Sequence, residues 1–140
     1  MNDFYTSGNY SQLNPTWDID DSGFKYIKIK KIITKNKIKF KSICEIGCGS
    51  GEILRLFKSD FQEIDIYGYD IAKGLKKLWK DKKDLNLYNQ DFIKKNKKKY
   101  DLIFFSDVIE HLDNPFEYLN YSKLHSKYII IYLPLDLSIR

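Results

Sequence analysis

Arginine is nearly missing from this chain. Of its 24 basic residues only Arg55 and Arg140 are not lysine. The formal net charge is +5, but forked contacts to phosphate or guanine are the work of arginine. The excess charge therefore reads as a lysine-rich solvated surface, and nucleic acid is not expected as a partner. Cysteine is scarce as well. Cys44 and Cys48 are the only two, and a lone C-x3-C pair makes neither a zinc set nor a disulfide framework. No metal is expected, and two reduced thiols point to a cytoplasmic, reducing compartment. Long apolar runs are absent too. The longest, YIIIYLPL from Tyr128 to Leu135, is far too short to cross a bilayer. The polar opening MNDFYTSGNYSQLNP has no signal-peptide core. No internal repeat is visible.

What is present describes a folded domain. The chain is 43% hydrophobic and 16% aromatic, which excludes general disorder. Its 140 residues make about one domain, able to bury roughly two-thirds of its unfolded surface. Residues 1–23 are rich in turn residues and aromatics and read as an irregular arm; the domain proper is expected over 24–140. FKYIKIKKIITKN opens it, with Phe24, Ile27, Ile32 and Ile33 near helical spacing and lysines opposite; its β-branched content also suits a strand, and helix is the preferred reading. Strand-like runs then alternate with helix-like ones. KSICEIG, IDIYGYD, LNLYNQD, YDLIFFSD and KYIIIYLPL read as strands; SGEILRLFKS, IAKGLKKLWK and NPFEYLNYSKLH read as helices. That alternation predicts an α/β fold with a parallel sheet covered on both faces. Pro115 in the first turn and Asn114 before it mark the start of the last helix. The run Lys94–Lys99 falls between strands three and four, as a solvated connection.

The densest signal is EIGCGSGEIL, Glu45 to Leu54. Glycine at Gly47, Gly49 and Gly51 costs chain entropy, so bare backbone must be needed there. A dinucleotide site spaces its glycines G-x-G-x-x-G and seats a pyrophosphate on the helix that follows. Here the spacing is G-x-G-x-G, and Glu45 stands at the strand end, where it would repel a pyrophosphate. A carboxylate suits a ligand with an ammonium group and no phosphate, as in S-adenosylmethionine. Asp70 ends the second strand, about twenty residues on, where a ribose acceptor is needed. Asp91 ends the third, in reach of an adenine amino group, with Phe92 and Ile71 flanking the ring.

EIGCGSGEIL, YGYD, NQDF and YDLIFFSDVIEHLDNP together resemble motifs one to four of the class I S-adenosylmethionine-dependent methyltransferases. The resemblance runs from about Ser42 to Pro134, and DVIEHLDNP resembles the small-molecule branch, with its quinone and sugar-type O-methyltransferases. NPTWDIDDSGFK resembles the leader of some bacterial members. The resemblance implies a Rossmann-like, doubly wound, mostly parallel sheet of order 3-2-1-4-5, truncated after strand five because strands six and seven of the family have no counterpart. It implies a cofactor loop of Gly47, Cys48, Gly49 and Gly51, with Glu45 on the amino group. It also implies Asp70 on the ribose, Asp91 on the adenine and Ser106 near the methyl donor. The expected acceptor is a small molecule, methylated at oxygen.

Several residues carry two readings. Glu45 either orders the cofactor or bonds turn amides. Asp107 and Glu110 form D-x-x-E, which is also a capping box. Asn114 and Glu117 repeat it, and there the cap is expected. His111, in the segment that faces substrate in the family, is the candidate general base, or a structural histidine. Tyr10 and Trp17 either cover the pocket or pack the arm. The absence of a D-P-P-Y segment argues against a nucleic-acid base as acceptor. Two rival functions stand beside the methyltransferase: a cofactor-binding fragment that is non-catalytic or works with a partner, and an NAD-dependent enzyme. The fifth strand, apolar on both sides with no further strand beside it, is expected to leave a sheet edge open to self-association.

Overall fold

In the computed structural model of the protein, residues 3–135 are described. Two short helices, α1 (Asp3–Thr6) and α2 (Asn9–Leu13), lead into the long helix α3 (Ile19–Lys35). The arm expected to be irregular is thus partly helical, and α3 begins five residues before the expected Phe24. The strands are β1 (Ser42–Ile46), β2 (Asp65–Tyr69), β3 (Asn86–Tyr88), β4 (Tyr100–Ser106) and β5 (Ser126–Tyr132). Helix α4 (Glu52–Asp60) links β1 to β2, α5 (Phe92–Lys95) follows β3, and α6 (Pro115–His125) links β4 to β5. All strand pairs are parallel, in the order β3-β2-β1-β4-β5, as expected.

Side chains alternate across the sheet and build one core on each face. Ile43, Leu102 and Phe104 point toward α3 and α4, where Tyr26, Ile29, Ile33, Leu54 and Phe57 meet them. Cys44, Ile46, Ile103 and Phe105 point the other way, toward Tyr69 and Phe92 and the partly buried Tyr118 and Tyr121 of α6. The central strands β1 and β4 are near-continuously apolar because neither of their faces is wet. The α3 face differs from the expected one. Tyr26, Ile29 and Ile33 are buried, while Phe24 and Ile27 are exposed. The helix carries apolar residues on several sides, so spacing alone did not select the stripe.

Two further segments depart from expectation. IAKGLKKLWK forms only a 3₁₀ turn, Leu75–Lys77. Gly74 sits at φ 88°, outside helical space, and leaves Ile71 in a loop. The D-x-x-E pair forms no capping box: the 3₁₀ turn Ile109–His111 has no side-chain cap. Asn114 does cap α6, its Oδ1 accepting from Glu117 N at 3.2 Å. Lys94–Lys99 is a solvated connection, apart from buried Asn96, whose Oδ1 accepts from the Tyr100 hydroxyl at 2.8 Å.

The amino-terminal end of the sheet is sealed by Asp101. Its Oδ2 accepts from the amides of Lys41 (2.7 Å) and Ser42 (3.2 Å), and its Oδ1 from Lys127 Nζ at 2.6 Å. One carboxylate thereby ties β1, β4 and β5 together. Among the described residues β5 is one of the two edge strands, with β3 at the other edge, and its Tyr128 and Ile131 are exposed.

Candidate functional site

A cavity of about 390 Å³ opens beyond the carboxyl ends of the strands, the ligand position of an open α/β sheet, and its volume is that of a small-molecule site. Three acidic residues reach it from three adjacent strands. Glu45 comes from the end of β1, Asp70 from the residue after β2, and Asp107 from the residue after β4.

The glycine loop after β1 is held by its own backbone. The amides of Gly47 and Cys48 both donate to Tyr69 O, at 2.8 and 3.2 Å. The Gly49 amide donates to Asp70 Oδ2 at 2.8 Å, and the Ala72 amide to Asp70 Oδ1 at 2.8 Å. Trp79 Nε1 donates to Gly49 O at 2.9 Å. Asp70 therefore organises the loop as well as facing the cavity. Gly47 is at φ 76°, and a Cβ there would come within 2.5 Å of Val108 Cγ2. Gly68, under the loop, is as tight. A Cβ on it would meet Leu54, Leu87 and Cys48 Sγ at 2.7–2.9 Å. Cys44 and Cys48 are free, buried thiols.

Glu45 does not bond turn amides through its free oxygen. It is 2% exposed, and Oε2 is buried without a partner. Burial pushes its carboxyl well above the ordinary range, the negative charge of Asp70 adds to this, and the Lys25 ammonium opposes it. The Asp70 carboxyl is also raised, by burial first, against the pull of the Ala72, Gly49 and Ile71 amides. Ser106 Oγ and Asp107 Oδ1 are buried and unpartnered too. Asp107 stands at φ 51°, and its Oδ2 lies 2.7 Å from Lys25 Nζ. Such an end of the sheet accepts protons or cations: each orphan oxygen costs desolvation until something donates to it.

Glu45, Gly47, Cys48, Gly49, Asp70, Ile71, Phe92, Ser106 and His111 all line the cavity, so the structure brings together nine of the sequence-read positions. Gly51 does not. It ends the loop before α4 at φ 76°, facing Leu87 and Lys82. Asp91 is not on the walls either. It caps α5, with Oδ1 accepting from Lys94 N at 3.0 Å and Oδ2 from the Tyr118 hydroxyl at 2.6 Å; Gln90 and Tyr118 line the cavity beside it. The side chain of His111 is half exposed, its Nε2 3.9 Å from Glu110 Oε1 and its ring 5.9 Å from that of Tyr5.

The arm supplies a wall that the sequence placed only in part. Phe4, Tyr5, Tyr10 and Trp17 line the cavity as a chain of ring contacts, with Tyr5–Tyr10 at 5.0 Å and Tyr10–Trp17 at 4.9 Å. Asp18 Oδ2 accepts from the Tyr10 hydroxyl and from Asn14 Nδ2, at 3.2 and 2.9 Å, and holds the turn. Lys25 was missed outright. It lies one turn before Ile29, on the buried stripe of α3, and spacing alone does not mark that stripe.

The comparisons agree with this architecture. A family model described as "Methyltransferase domain" matches residues 25–135. Among curated proteins nothing matches. The plantazolicin methyltransferase BpumL, solved with a pentazolic desmethylPZN analog and SAH, superposes with a TM-score of 0.62 at 21% identity; the match covers 86% of this chain and 48% of that one. The methyltransferase domain of bacterial CtHen1 gives 0.64 at 19% identity, over 84% and 67% of the two chains. An S-adenosylmethionine-dependent methyltransferase from Clostridium acetobutylicum gives 0.63 at 19% identity, over 89% and 55%. The chain thus spans about half the length of BpumL, and at these identities the likeness is one of fold. No described helix is long and apolar enough to cross a membrane. With the sheet order, the glycine loop and a family match over most of its length, the chain belongs to the methyltransferase-domain family, on the class I fold of S-adenosylmethionine-dependent enzymes.

Proposed function

We propose that the chain binds S-adenosylmethionine between the glycine loop and the arm, for methyl transfer to the oxygen of a small-molecule acceptor. The observation that carries this reading is Glu45, a buried residue on the cavity wall whose Oε2 has no partner. An ammonium group satisfies it, and a pyrophosphate would be repelled by it. The residues present fit the cofactor in two further ways. Gly47 and Gly49 put bare backbone on the cavity wall, and Asp70, on the same wall, has lone pairs left after accepting from the Gly49 and Ala72 amides.

When bound, the cofactor supplies an electrophilic methyl group. The protein's share is position and dryness. Glu45 orients the amino group, and Asp70 takes ribose hydroxyls while holding the loop. Ile71 and Phe92 flank the adenine, whose amino group falls to Gln90 because Gln90 lines the cavity and Asp91 does not. Ser106 lies at the reacting end. The aromatic arm excludes water and gives the acceptor a flat surface, so catalysis is mainly alignment. His111, at the rim beside Tyr5, is placed to take the acceptor's proton. Such chemistry and two buried thiols suit a cytoplasmic setting.

Calorimetric titration with S-adenosylhomocysteine and with NAD tests the reading. Binding of the first and not the second is expected, and Asp70→Ala should weaken it about tenfold to a hundredfold. NAD binding, or equal affinity in wild type and variant, refutes it. A second reading, a cofactor-binding unit completed by another chain, is favoured by β5, an outermost strand with exposed Tyr128 and Ile131. Light scattering that shows dimers, reduced by Ile131→Lys, supports self-association at that edge.

A further inference from the structure

Lys25 is the one ammonium among the described walls of a cavity that otherwise presents carboxylates. Its side chain is only 17% exposed, and Nζ lies 2.7 Å from Asp107 Oδ2. A cation brought this far into a ligand site by a core-facing helix needs a reason. A plain pin between α3 and β4 is one candidate. It accounts poorly for Asp107, which adopts the left-handed φ of 51° at a cost to an L-residue, and whose other oxygen is buried without a partner. An ion pair built only for stability would have its remaining lone pairs satisfied.

The charges around it have a pattern. Lys25 and Glu45 line the same cavity. A buried acceptor and an ammonium on the same wall match the two ends of an α-amino acid, its ammonium toward Glu45 and its carboxylate toward Lys25. S-adenosylmethionine ends in such a group. Resting on the cofactor reading above, we propose that Lys25 binds the methionine carboxylate of the cofactor and exchanges Asp107 for it. Asp107 is then the placeholder that keeps the ammonium paired while no carboxylate is present. The exchange releases Asp107 as a free carboxylate beside Ser106, on the wall the acceptor approaches.

Two ligands separate this role from a structural one. S-adenosylhomocysteine carries the amino-acid end; 5′-methylthioadenosine keeps the adenosine and the thioether and lacks that end. In calorimetry Lys25→Gln should weaken S-adenosylhomocysteine about tenfold or more and leave methylthioadenosine within about twofold. Lys25→Arg should restore most of the difference. Asp107→Asn removes the competitor for Lys25 and should tighten S-adenosylhomocysteine severalfold, again without effect on methylthioadenosine. Equal losses for both ligands in Lys25→Gln, or no loss for either, overturn the proposal. So does Asp107→Asn that leaves S-adenosylhomocysteine unchanged or weaker while methylthioadenosine still binds. That variant decides the matter alone if Lys25→Gln does not fold. Failure of wild type to bind either ligand would instead remove the cofactor reading, and the proposal with it.

Discussion

The two ends of the sheet treat their carboxylates in opposite ways. At the amino-terminal end Asp101 accepts from two amides and an ammonium. Its carboxyl is held below the ordinary range, first by the Lys127 hydrogen bond and then by the Lys41 amide. At the carboxyl-terminal end Glu45 is buried with an oxygen left over, and its carboxyl is pushed up. The same functional group stabilises the fold in one place and is kept short of partners in the other. A site that must receive a ligand carries its unmade bonds in advance, and the rest of the fold offsets them.

The sharpest way to break this contrast is Gly47→Ala. The added methyl meets Val108 at 2.5 Å in a left-handed conformation, costing about 1–3 kcal/mol in overpacking and roughly 1–2 more in backbone strain. A drop in melting temperature with loss of cofactor binding is expected; Gly49→Ala, whose Cβ meets only Trp17 at 3.8 Å, should unfold less readily.

Next come two substitutions that should differ in sign. Asp101→Ala strands the Lys41 and Ser42 amides and should destabilise by about 1–3 kcal/mol in urea unfolding. Glu45→Gln removes a costly buried charge and should leave the unliganded chain as stable or slightly more so, while weakening S-adenosylhomocysteine about tenfold. Destabilisation of the unliganded chain by Glu45→Gln as large as that of Asp101→Ala would erase the distinction.

The smallest effect is in pH. Asp101 has a lowered folded pKa, so its contribution is present above its ordinary 3.8 and is lost as pH falls through the folded value. Glu45 has a raised folded pKa. Its contribution is present below its ordinary 4.5 and is lost as pH rises through the folded value. The ligand's ammonium group favours ionised Glu45, so the gain in melting temperature on adding S-adenosylhomocysteine should grow from pH 5 to pH 8. A gain that is flat or falls across that range would show that Glu45 does not meet the ligand.

Much of this was legible in the sequence, for physical reasons that vary by residue. Strands buried on both faces announce themselves as apolar runs, so the β-strands and their parallel pairing could be read. Glu45 and Asp70 were readable because each ends a strand next to glycine or a turn, where position alone fixes direction. Asp91 also ends a strand, but a tyrosine 27 residues later, Tyr118, takes its second oxygen, and no local pattern encodes that. Gly51 shares the motif with Gly47, yet the chain has already turned away by the time it reaches α4. Lys25 looked like one more lysine on a lysine-rich helix. Only the register of α3 against the sheet separates it from Lys28 or Lys31, and that register is set by Tyr26, Ile29 and Ile33 rather than by the more conspicuous Phe24 and Ile27.

The central position of β1 bears on how the chain folds. β1 pairs with β2 first in sequence, but its other neighbour is β4, and the Ser42 hydroxyl accepts from the Asp101 amide across 59 residues of chain. Half the bonds of the strand that carries the glycine loop therefore await a distant partner, and the entropy of closing that loop falls due before most of the contacts form. Folding should be correspondingly slow for the chain's size, with SICEI exposed as an unpaired apolar strand until YDLIFFS arrives. On a ribosome the first of these segments emerges well before the second. The glycine loop can take its final shape only after β4 has closed on β1, because Val108, the residue that walls Gly47, follows that strand.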